Sequence, residues 1–538
     1  MKHSYKTSGI LSALLIFLTG CDTDELHDLN IPLNAVNMDV NYFFTAAELG
    51  TASNGSSESS MYADLRTNII MCGHCIQQLA TLNTESPGTG DKYLNYIEPS
   101  IAPFELYFTD VGNRTREILR KTEPGGEFEG RKINTRHAAR ILRVLNFHRL
   151  TDWYGNIPYT EANRIFDGFL NPAYDKQKEI YADMLRELDE ACTGLSSDNM
   201  DEGFAAADII FRGDISKWKK WGYSLMLRLA MRVSNVDQKM AAEYVTKAFQ
   251  GGVMNSNADN VWVPMSLTPL KTVNQNGISR AFQPGDGGQN SFLSKTLIDW
   301  LMGPDKNDTK DDDPRLMILS GGIAQWTTSG WTGFRDGTDP LKQAGMPNGL
   351  DQPMLDAIYG KPVLDYKLFS RVNPKLLQSD EPYQLMNAAE SKFLLAEALE
   401  RDIGTGITGT AEQYYNEGVR LAMQMYTKYD ISLAVTDEAV NQYLATFPYG
   451  VAKPALEMTG EQMWVSKFMN WWEAWSDWRR TGYPDLLPVT YSSNITGGTI
   501  PTKLRLLPNE ASVNPNYTTG ATMPDELTTK VWWDGGPE

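Results

Sequence analysis

A mostly α-helical protein is the fold class that the sequence predicts, and three observations predict it. Apolar residues recur at intervals of three and four along many stretches of the chain. These stretches follow one another in couples joined by polar segments, as antiparallel helix pairs do. Segments rich in Gly, Pro, Asn and Asp interrupt the couples. We therefore expect helix pairs that form a scaffold with a large irregular, loop-rich face, in one large domain or two.

The first 20 residues are predicted to be a secretory signal peptide. A basic start precedes an apolar segment from about Ile10 to Leu18, which is about half of the roughly 20 residues that a membrane-spanning helix requires. The segment runs into Leu-Thr-Gly-Cys, ending at Cys21, which resembles a bacterial lipobox. This resemblance implies cleavage before Cys21 and a lipid anchor attached to it. The alternative is a secreted protein in which Cys21 is incidental.

Residues 21–60 are predicted to be a lipidated tether and N-terminal spacer, because Asn, Ser, Gly and Asp are abundant over 27–60. Residues 61–538 are predicted to form the domain.

The formal net charge is −18, and such a surface repels phosphate backbones, so we expect no nucleic-acid partner. With only four cysteines in the chain, a fold held by a disulfide framework is excluded.

Three helix pairs are predicted from the periodicity. The paired segments are 136–150 with 178–192, 215–232 with 239–249, and 387–406 with 410–426. Asp214 is a good N-cap for the helix that follows it. In the third pair, small residues such as Ala396 and Gly418 lie on the facing sides and allow close approach, and this pair reads like a tetratricopeptide unit. The pairs do not recur at a fixed interval, so any solenoid is an interrupted one.

A tryptophan-rich segment, 461–480, is predicted to be helical and buried. Its aromatic residues follow one helix face, which is the pattern of a core stripe. Two basic residues close the segment. We expect Arg479 and Arg480 to pair with inner carboxylates such as Glu473 or Asp477, in a structural and not a catalytic role.

Six stretches carry a resemblance to a known family. In chain order they are "HRLTDWYGNIPYTEA" (148–162), "RGDISKWKKWGYSLMLRLAMRVS" (212–234), "DDPRL" (312–316), "AAESKFLLAEAL" (388–399), "EAWSDWRRTGYPDL" (473–486) and "IPTKLRLLPNE" (500–510). Together, and after a lipobox, they resemble the SusD/RagB superfamily of Bacteroidetes outer-membrane lipoproteins, in particular its SusD-like branch. The resemblance covers nearly the whole mature chain.

The resemblance implies a fold, which is a single mostly α-helical domain, and also a function. The protein is expected to be lipid-anchored in the outer membrane, facing outward, with tetratricopeptide-like helix pairs that contact a SusC-like TonB-dependent transporter. Its irregular face would hold a nutrient, typically an oligosaccharide, and no enzyme activity is implied. A peptide ligand is an alternative, because RagB-like relatives bind peptides. A surface glycoside hydrolase is an alternative from a different class, because its two carboxylates carry no universal signature, and a surface adhesin is a third.

The irregular regions, about 81–130 and 251–383, supply the candidate ligand residues, since binding residues tend to lie on loops positioned by a rigid scaffold. Exposed aromatic rings suit the apolar faces of a sugar, while charged and amide groups suit its hydroxyl rim. The leading candidate is a loop at 325–337, with Trp326, Trp331, Phe334, Arg335 and Asp336. The alternative is that its rings pack onto the scaffold. Secondary candidates are Tyr62, His74, Tyr93, Tyr96 and Phe282.

Two motifs suggest other chemistry and are discounted. The stretch CGHC, 72–75, spells the dithiol of disulfide isomerases, but it lies within a predicted continuous helix, 60–82, and not at a helix N-terminus in a βαβ unit. We expect ordinary helix thiols or a strained local disulfide.

The acidic run 305–314 fails the EF-hand template, because Lys310 replaces its glycine and Leu316 its final glutamate. We expect a solvated acidic turn and no cofactor, with a nonstandard calcium site as the alternative.

Overall fold

Helices carry most of the chain in the computed structural model, and the predicted mostly α-helical class is confirmed. The structure describes residues 38–55, 57–85, 90–94, 98–283, 287–327, 330–335, 339–364 and 367–538, without the side chains at 287, 289 and 324–335. The predicted signal peptide and Cys21 lie outside the described residues, as do Tyr96 and Asp336.

The α-helices are numbered here in chain order. They are α1 Val40–Thr51, α2 Glu98–Phe104, α3 Asn113–Thr122, α4 Ile133–Tyr154, α5 Gln177–Gly194, α6 Phe204–Ala207, α7 Ile215–Arg232, α8 Gln238–Gly251, α9 Lys271–Asn274, α10 Gly277–Ala281, α11 Lys295–Leu301, α12 Leu316–Leu319, α13 Gln352–Tyr359, α14 Ala388–Glu400, α15 Ala411–Gln424, α16 Asp437–Thr446, α17 Ala455–Ser466, α18 Trp471–Thr481, α19 Glu510–Val513 and α20 Tyr517–Gly520. Two segments, Ala63–Gly73 and Glu105–Gly112, are π-helical.

The structure also contains short β-strands, which pair with one another in small sheets. They are β1 Leu79–Ala80, β2 Ile157–Pro158, β3 Tyr174–Asp175, β4 Val261–Val263, β5 Phe292–Leu293, β6 Ser320–Thr327, β7 Gly330–Arg335, β8 Ser370–Val372 and β9 Tyr383–Met386. They pair antiparallel as β1–β5, β2–β3 and β4–β9, with a three-stranded sheet in the order β7–β6–β8. Most of these strands lie within the region that the sequence predicts to be irregular.

The three predicted helix pairs form as α4 with α5, α7 with α8, and α14 with α15. Asp214 caps α7 as predicted, because its Oδ1 accepts hydrogen bonds from the backbone N–H groups of Ser216 (3.0 Å) and Lys217 (3.2 Å). These bonds satisfy donors that the first turn of a helix leaves without a partner. A local sequence signal therefore determines where α7 begins.

Two local expectations need correction. Part of the segment assigned to the spacer is the helix α1, whose Val40, Phe44 and Ala47 are buried in the main core. Residues Val40–Glu538 form one compact unit. The helix expected over 60–82 is instead largely π-helical and gives way to β1, so the CGHC stretch lies at the end of a π-helix.

The tryptophan-rich segment is buried as predicted but consists of two helices, α17 and α18. The chain breaks between them, where Met469 has a φ of 77°. The predicted pairing of its arginines with inner carboxylates is confirmed for Arg480, although with a different carboxylate from those named, and is wrong for Arg479. Arg480 instead binds Glu397 of α14, with an Nη2–Oε2 distance of 2.7 Å, and Arg479 donates to the backbone carbonyls of Asp152 and Thr502, both at 2.8 Å.

Buried charges join the helices at the centre of the scaffold. Arg228 of α7 binds Glu390 of α14 through two hydrogen bonds of 2.6 and 2.7 Å, and Arg232 of α7 binds Glu473 of α18. His148 of α4 lies 3.3 Å from Glu473. Burial alone would raise the pKa of Glu473, but the surrounding cations outweigh it and hold that pKa well below its ordinary value. Removing one partner of such a network leaves a buried charge unpaired, which costs about 3–5 kcal/mol.

Candidate functional site

A second, smaller hydrophobic core supports the loop-rich part of the molecule. Its buried members are Ala80, Phe292, Met346, Leu350, Leu355 and Phe369. The guanidinium of Arg371 lies 4.1 Å from the centroid of the Phe292 ring. The pairing of β1 with β5 connects this core to the first irregular region, and β8 connects it to the hairpin of β6 and β7. Because this loop-rich part of the molecule has its own packed core, that core holds its segments in place.

The leading predicted ligand loop is part of a β-hairpin and not an irregular loop. β6 and β7 pair antiparallel, and the register places the Cα atom of Trp326 opposite that of Trp331 and the Cα atom of Ala324 opposite that of Phe334. Arg335 ends β7, opposite Ile323. The hairpin therefore brings the two tryptophan positions together. The side chains of these candidates lie outside the described residues.

The helix α13 presents apolar side chains to solvent. Its Leu355 is buried in the smaller core, while Ile358 is 64% exposed and Tyr359 is 45% exposed. Asp351 caps the helix by accepting a hydrogen bond from Met354 N–H (2.9 Å). A helix that buries one apolar side and exposes another is typical of a surface that contacts a ligand or partner.

Polar groups lie on the same helix. The Asp356 carboxylate accepts hydrogen bonds from the side chain of Gln352 (2.7 Å) and from the backbone N–H of Val363 (2.9 Å). The Tyr491 hydroxyl donates to Asp351 (2.9 Å). Apolar side chains with a rim of amide and carboxylate groups match a sugar, which offers C–H faces and hydroxyls. Sequence reasoning missed Ile358, although apolar residues on both sides of a short helix are the signal that could have found it.

Two secondary candidates lie in the interior instead of on a ligand face. His74 is buried, its Nε2 lies 3.0 Å from Ser291 Oγ, and burial lowers the pKa of His74 to about 4. Tyr93 is buried, and its hydroxyl accepts a hydrogen bond from Val489 N–H (3.2 Å). Phe282 is half-buried against the main core. Tyr62 is exposed and stacks with Arg66, whose guanidinium is 4.4 Å from the ring centroid.

The CGHC thiols are buried and unbonded to each other. Cys72 and Cys75 are free cysteines, and the Cys75 thiol donates to the carbonyl of Gly90 (3.3 Å). Burial raises the pKa of Cys75 well above its ordinary value. Because the thiolate is the reactive form, these environments disfavour disulfide-exchange chemistry. The structure thus supports the expectation of ordinary helix thiols.

The acidic run after α11 forms a turn held by its own side chains. Asp305 Oδ1 accepts a hydrogen bond from Asn307 N–H (2.9 Å), and Asp308 pairs with Lys310 at 2.6 Å. Within the described part of the chain, no group of three or more His, Cys, Asp or Glu side chains is arranged to hold a metal ion. The same residues include no helix that is long and apolar enough to cross a membrane.

Residues 35–506 match the model of a protein family that is described as "Starch-binding associating with outer membrane", the SusD-like family. The match spans most of the chain. The chain belongs to the SusD-like family. Proteins of this family bind carbohydrate at the outer membrane and are not enzymes, so the prediction of a binding protein is confirmed at that level.

Solved structures agree with this SusD-like assignment. A chitin-binding protein is 28% identical, with a TM-score of 0.74, over 92% of this chain and 100% of its own. A Bacteroidetes SusD-like protein, AC2a, is 24% identical with a TM-score of 0.77, over 92% and 100% of the two chains. A chitin-binding SusD homologue from Flavobacterium johnsoniae is 22% identical with a TM-score of 0.71, over 92% and 98%. No curated protein matches the sequence.

The hairpin sheet and α13 are both connected to the smaller core, the sheet through β8 and α13 through Leu355. Ala80 of β1 and Phe292 of β5 are 212 positions apart in the sequence, yet they pair directly. The candidate site is thus assembled from distant segments. We refer to α13, its flanking residues 351–364 and the hairpin of β6 and β7 as the loop face.

Proposed function

We propose that this protein captures an oligosaccharide at the cell surface on its loop face and delivers it to a SusC-like TonB-dependent transporter. The family match over residues 35–506, with its starch-binding and outer-membrane description, is the observation that carries the proposal. The lipobox ending at Cys21 supports a lipid anchor that holds the protein at the outer membrane, facing outward. The tetratricopeptide-like helix pairs are the proposed contact with the transporter.

The proposed ligand class is an oligomer of N-acetylated amino sugars, with α-glucans as the second class to test. Two of the similar structures are titled chitin-binding, and the family description names starch. Both ligands present flat apolar faces that suit Tyr359, Ile358 and the tryptophan positions of the hairpin. Capture must be followed by release, so we expect modest affinity.

Calorimetric titration of the purified protein with N-acetylated chitin oligomers tests the proposal. Tyr359→Ala and Trp331→Ala each remove an aromatic ring from the loop face and are expected to weaken binding about tenfold, since burial of such a side chain contributes about 1.5–3 kcal/mol. Phe166→Ala is the matched control, because Phe166 is 93% exposed but lies outside the loop face. It should leave affinity unchanged.

The outcomes separate the proposed function from its alternatives. Saturable binding without turnover supports a nutrient receptor. Release of shorter sugars would mean a hydrolase, and binding of peptides with no binding of any glycan would mean a RagB-like receptor; either result contradicts the proposal. If Trp331→Ala lowers the melting temperature strongly and leaves binding intact, that ring belongs to the packing of the hairpin and not to the ligand site.

A further inference from the structure

A cavity of about 370 Å³ lies in the helical scaffold, outside the loop face. Aromatic and apolar side chains from α11, α15, α17 and the end of α16 form much of its wall: Trp300, Tyr415, Tyr443, Phe447 and Met458. Trp300 is held edge-on against Trp464, with ring centroids 6.2 Å apart. A concave site of this size, lined by rings and a few polar groups, is the usual form of a small-ligand site.

A second cavity of about 320 Å³ adjoins the first. The two share Asp311, Tyr443 and Phe447 in their walls. Tyr443 and Phe447 are one helical turn apart, and their ring centroids are separated by 5.1 Å. This ring pair therefore separates two compartments of similar volume, which suits a ligand made of linked ring-shaped units more than one compact molecule. We refer to the two compartments as the paired cavities.

Unsatisfied carboxylate oxygens line the paired cavities. Asp311 Oδ2 accepts a hydrogen bond from Asp305 N–H (2.9 Å), but its Oδ1 is shielded from solvent and receives none from the described residues. Asp312 lines the second cavity, and both of its carboxylate oxygens are likewise shielded from solvent and receive no hydrogen bond from the described residues. Burial, and next to it the charge of Asp311, raises the pKa of Asp312 to about 6. Shielded carboxylates without donors are costly unless a ligand supplies the donors.

The nearby ammonium groups are engaged elsewhere. Lys306 donates to the backbone carbonyls of Asp299 and Gly303. Lys310 pairs with Asp308, at 2.6 Å. Lys453 pairs with two glutamates of α17, Glu457 at 3.2 Å and Glu461. None of these three cations forms an ion pair with Asp311 or Asp312. The charge of Lys306 lowers the pKa of Asp312 but does not outweigh burial. Among the described residues, the two carboxylates therefore lack a positively charged hydrogen-bond donor.

We propose that the paired cavities bind an oligosaccharide whose units carry free, protonated amino groups, as a second sugar site apart from the loop face. The rings of Tyr443, Phe447 and Trp300 would contact the C–H faces of the sugar units and attract the ammonium groups. Asp311 and Asp312 would accept hydrogen bonds from those ammonium groups. An N-acetylated unit lacks the charge and leaves the carboxylates uncompensated. The proposal rests on the proposed function only in taking glycans as the ligand class.

Titration with two oligomers of equal length, a fully deacetylated chitin tetramer and its N-acetylated counterpart, tests this site. Asp311→Asn preserves the acceptor for Asp305 N–H and removes the charge, and we expect it to weaken binding of the deacetylated tetramer at least tenfold. Phe447→Ala removes the shared wall and should have a similar effect. Asp305→Asn is the matched control, because Asp305 lies in the same turn, lines neither cavity, and as asparagine keeps an acceptor for Asn307 N–H.

The two proposals fail in different ways. Tyr359→Ala should weaken only the N-acetylated tetramer, and Asp311→Asn only the deacetylated one. No binding of the deacetylated tetramer to the wild-type protein, or wild-type affinity in both Asp311→Asn and Phe447→Ala, would overturn the second site. An equal loss in Asp305→Asn and Asp311→Asn would also overturn it, since that result means diffuse attraction to an acidic surface. If only the N-acetylated tetramer fails to bind, the loop-face proposal fails and the second site stands.

Discussion

Asp64 is a buried acidic residue that forms no ion pair with the residues that the structure describes. One oxygen of its carboxyl group accepts hydrogen bonds from Asn68 (2.6 Å) and Tyr383 (3.0 Å). Burial raises the pKa of Asp64 from an ordinary value of 3.8 to about 7, and these hydrogen bonds and the charge of Arg149 offset only part of the effect. The folded protein therefore keeps Asp64 protonated in a pH range where the unfolded chain ionises it.

Asp64→Asn is predicted to change how stability depends on pH. Because the folded pKa is raised, the wild-type protein loses stability as the pH rises from about 4 to about 7, by up to about 1.4 kcal/mol per pH unit from this group. The variant lacks this loss, so its stability relative to wild type should rise across that window and level off above it. Urea unfolding at several pH values measures the difference, and Asp485→Asn, at an exposed position, is the control. A difference that does not vary with pH would contradict the prediction.

At the scale of the element, the α14–α15 pair depends on a glycine. A Cβ atom built on Gly418 would lie 2.6 Å from Cε1 of Phe393 on the facing helix, closer than packed atoms allow. Phe393 is fully buried, so its ring has little room to move. The contact explains the small residue that the sequence places on this helix face.

Gly418→Ala is predicted to lower the free energy of unfolding by about 1–3 kcal/mol, because it overpacks the interface. Helix propensity alone would give the opposite sign, a gain of about 1 kcal/mol. Denaturant unfolding therefore distinguishes the two effects by the direction of the change. Glu417→Ala is the matched control, since it removes only the ion pair between Glu417 and Lys392 near the surface (2.6 Å), which contributes about 0–1 kcal/mol. Stabilisation by Gly418→Ala would show that the helices can separate.

At the scale of the whole molecule, the C-terminal segment completes the central core. Trp533 is buried, and its indole N–H donates to Asp152 of α4 at 2.9 Å, across 381 positions of sequence. Its ring also lies 5.2 Å from the guanidinium of Arg232 and 4.6 Å from that of Arg479. Helices of all three pairs and the end of the chain thus meet in one network. This differs from a solenoid, in which each repeat contacts only its neighbours.

The proposed lipid anchor is also a property of the whole molecule, because it would determine where this core is held. Cys21→Ser is predicted to abolish incorporation of labelled palmitate and to move the protein from the membrane fraction to the soluble fraction. The physical reason is that several acyl chains, at about 0.8 kcal/mol per buried CH₂, are needed for stable attachment. Cys192→Ser, at a buried cysteine of the scaffold, is the matched control and should keep the label. Labelling of the Cys21→Ser protein would contradict the prediction.

The sequence by itself determined the scaffold and the family. Helix periodicity, the N-cap at Asp214 and the small residue at Gly418 predicted helices and pairs that the structure contains. These signals are local, because a helix face repeats every three to four residues and a cap acts over one turn. Ordered sequence fragments carried the family resemblance for the same reason: each is short and can be read without knowing what it contacts.

Only the tertiary structure decided which candidate residues are accessible. His74 is buried against Ser291, 217 positions away, and no pattern around His74 announces that contact. The paired cavities likewise depend on an acidic turn at Asp311 meeting rings at Tyr443 and Phe447 from a distant helix. Burial and cavity shape come from contacts between segments far apart in the chain, whereas sequence periodicity reports only the near neighbours of each residue.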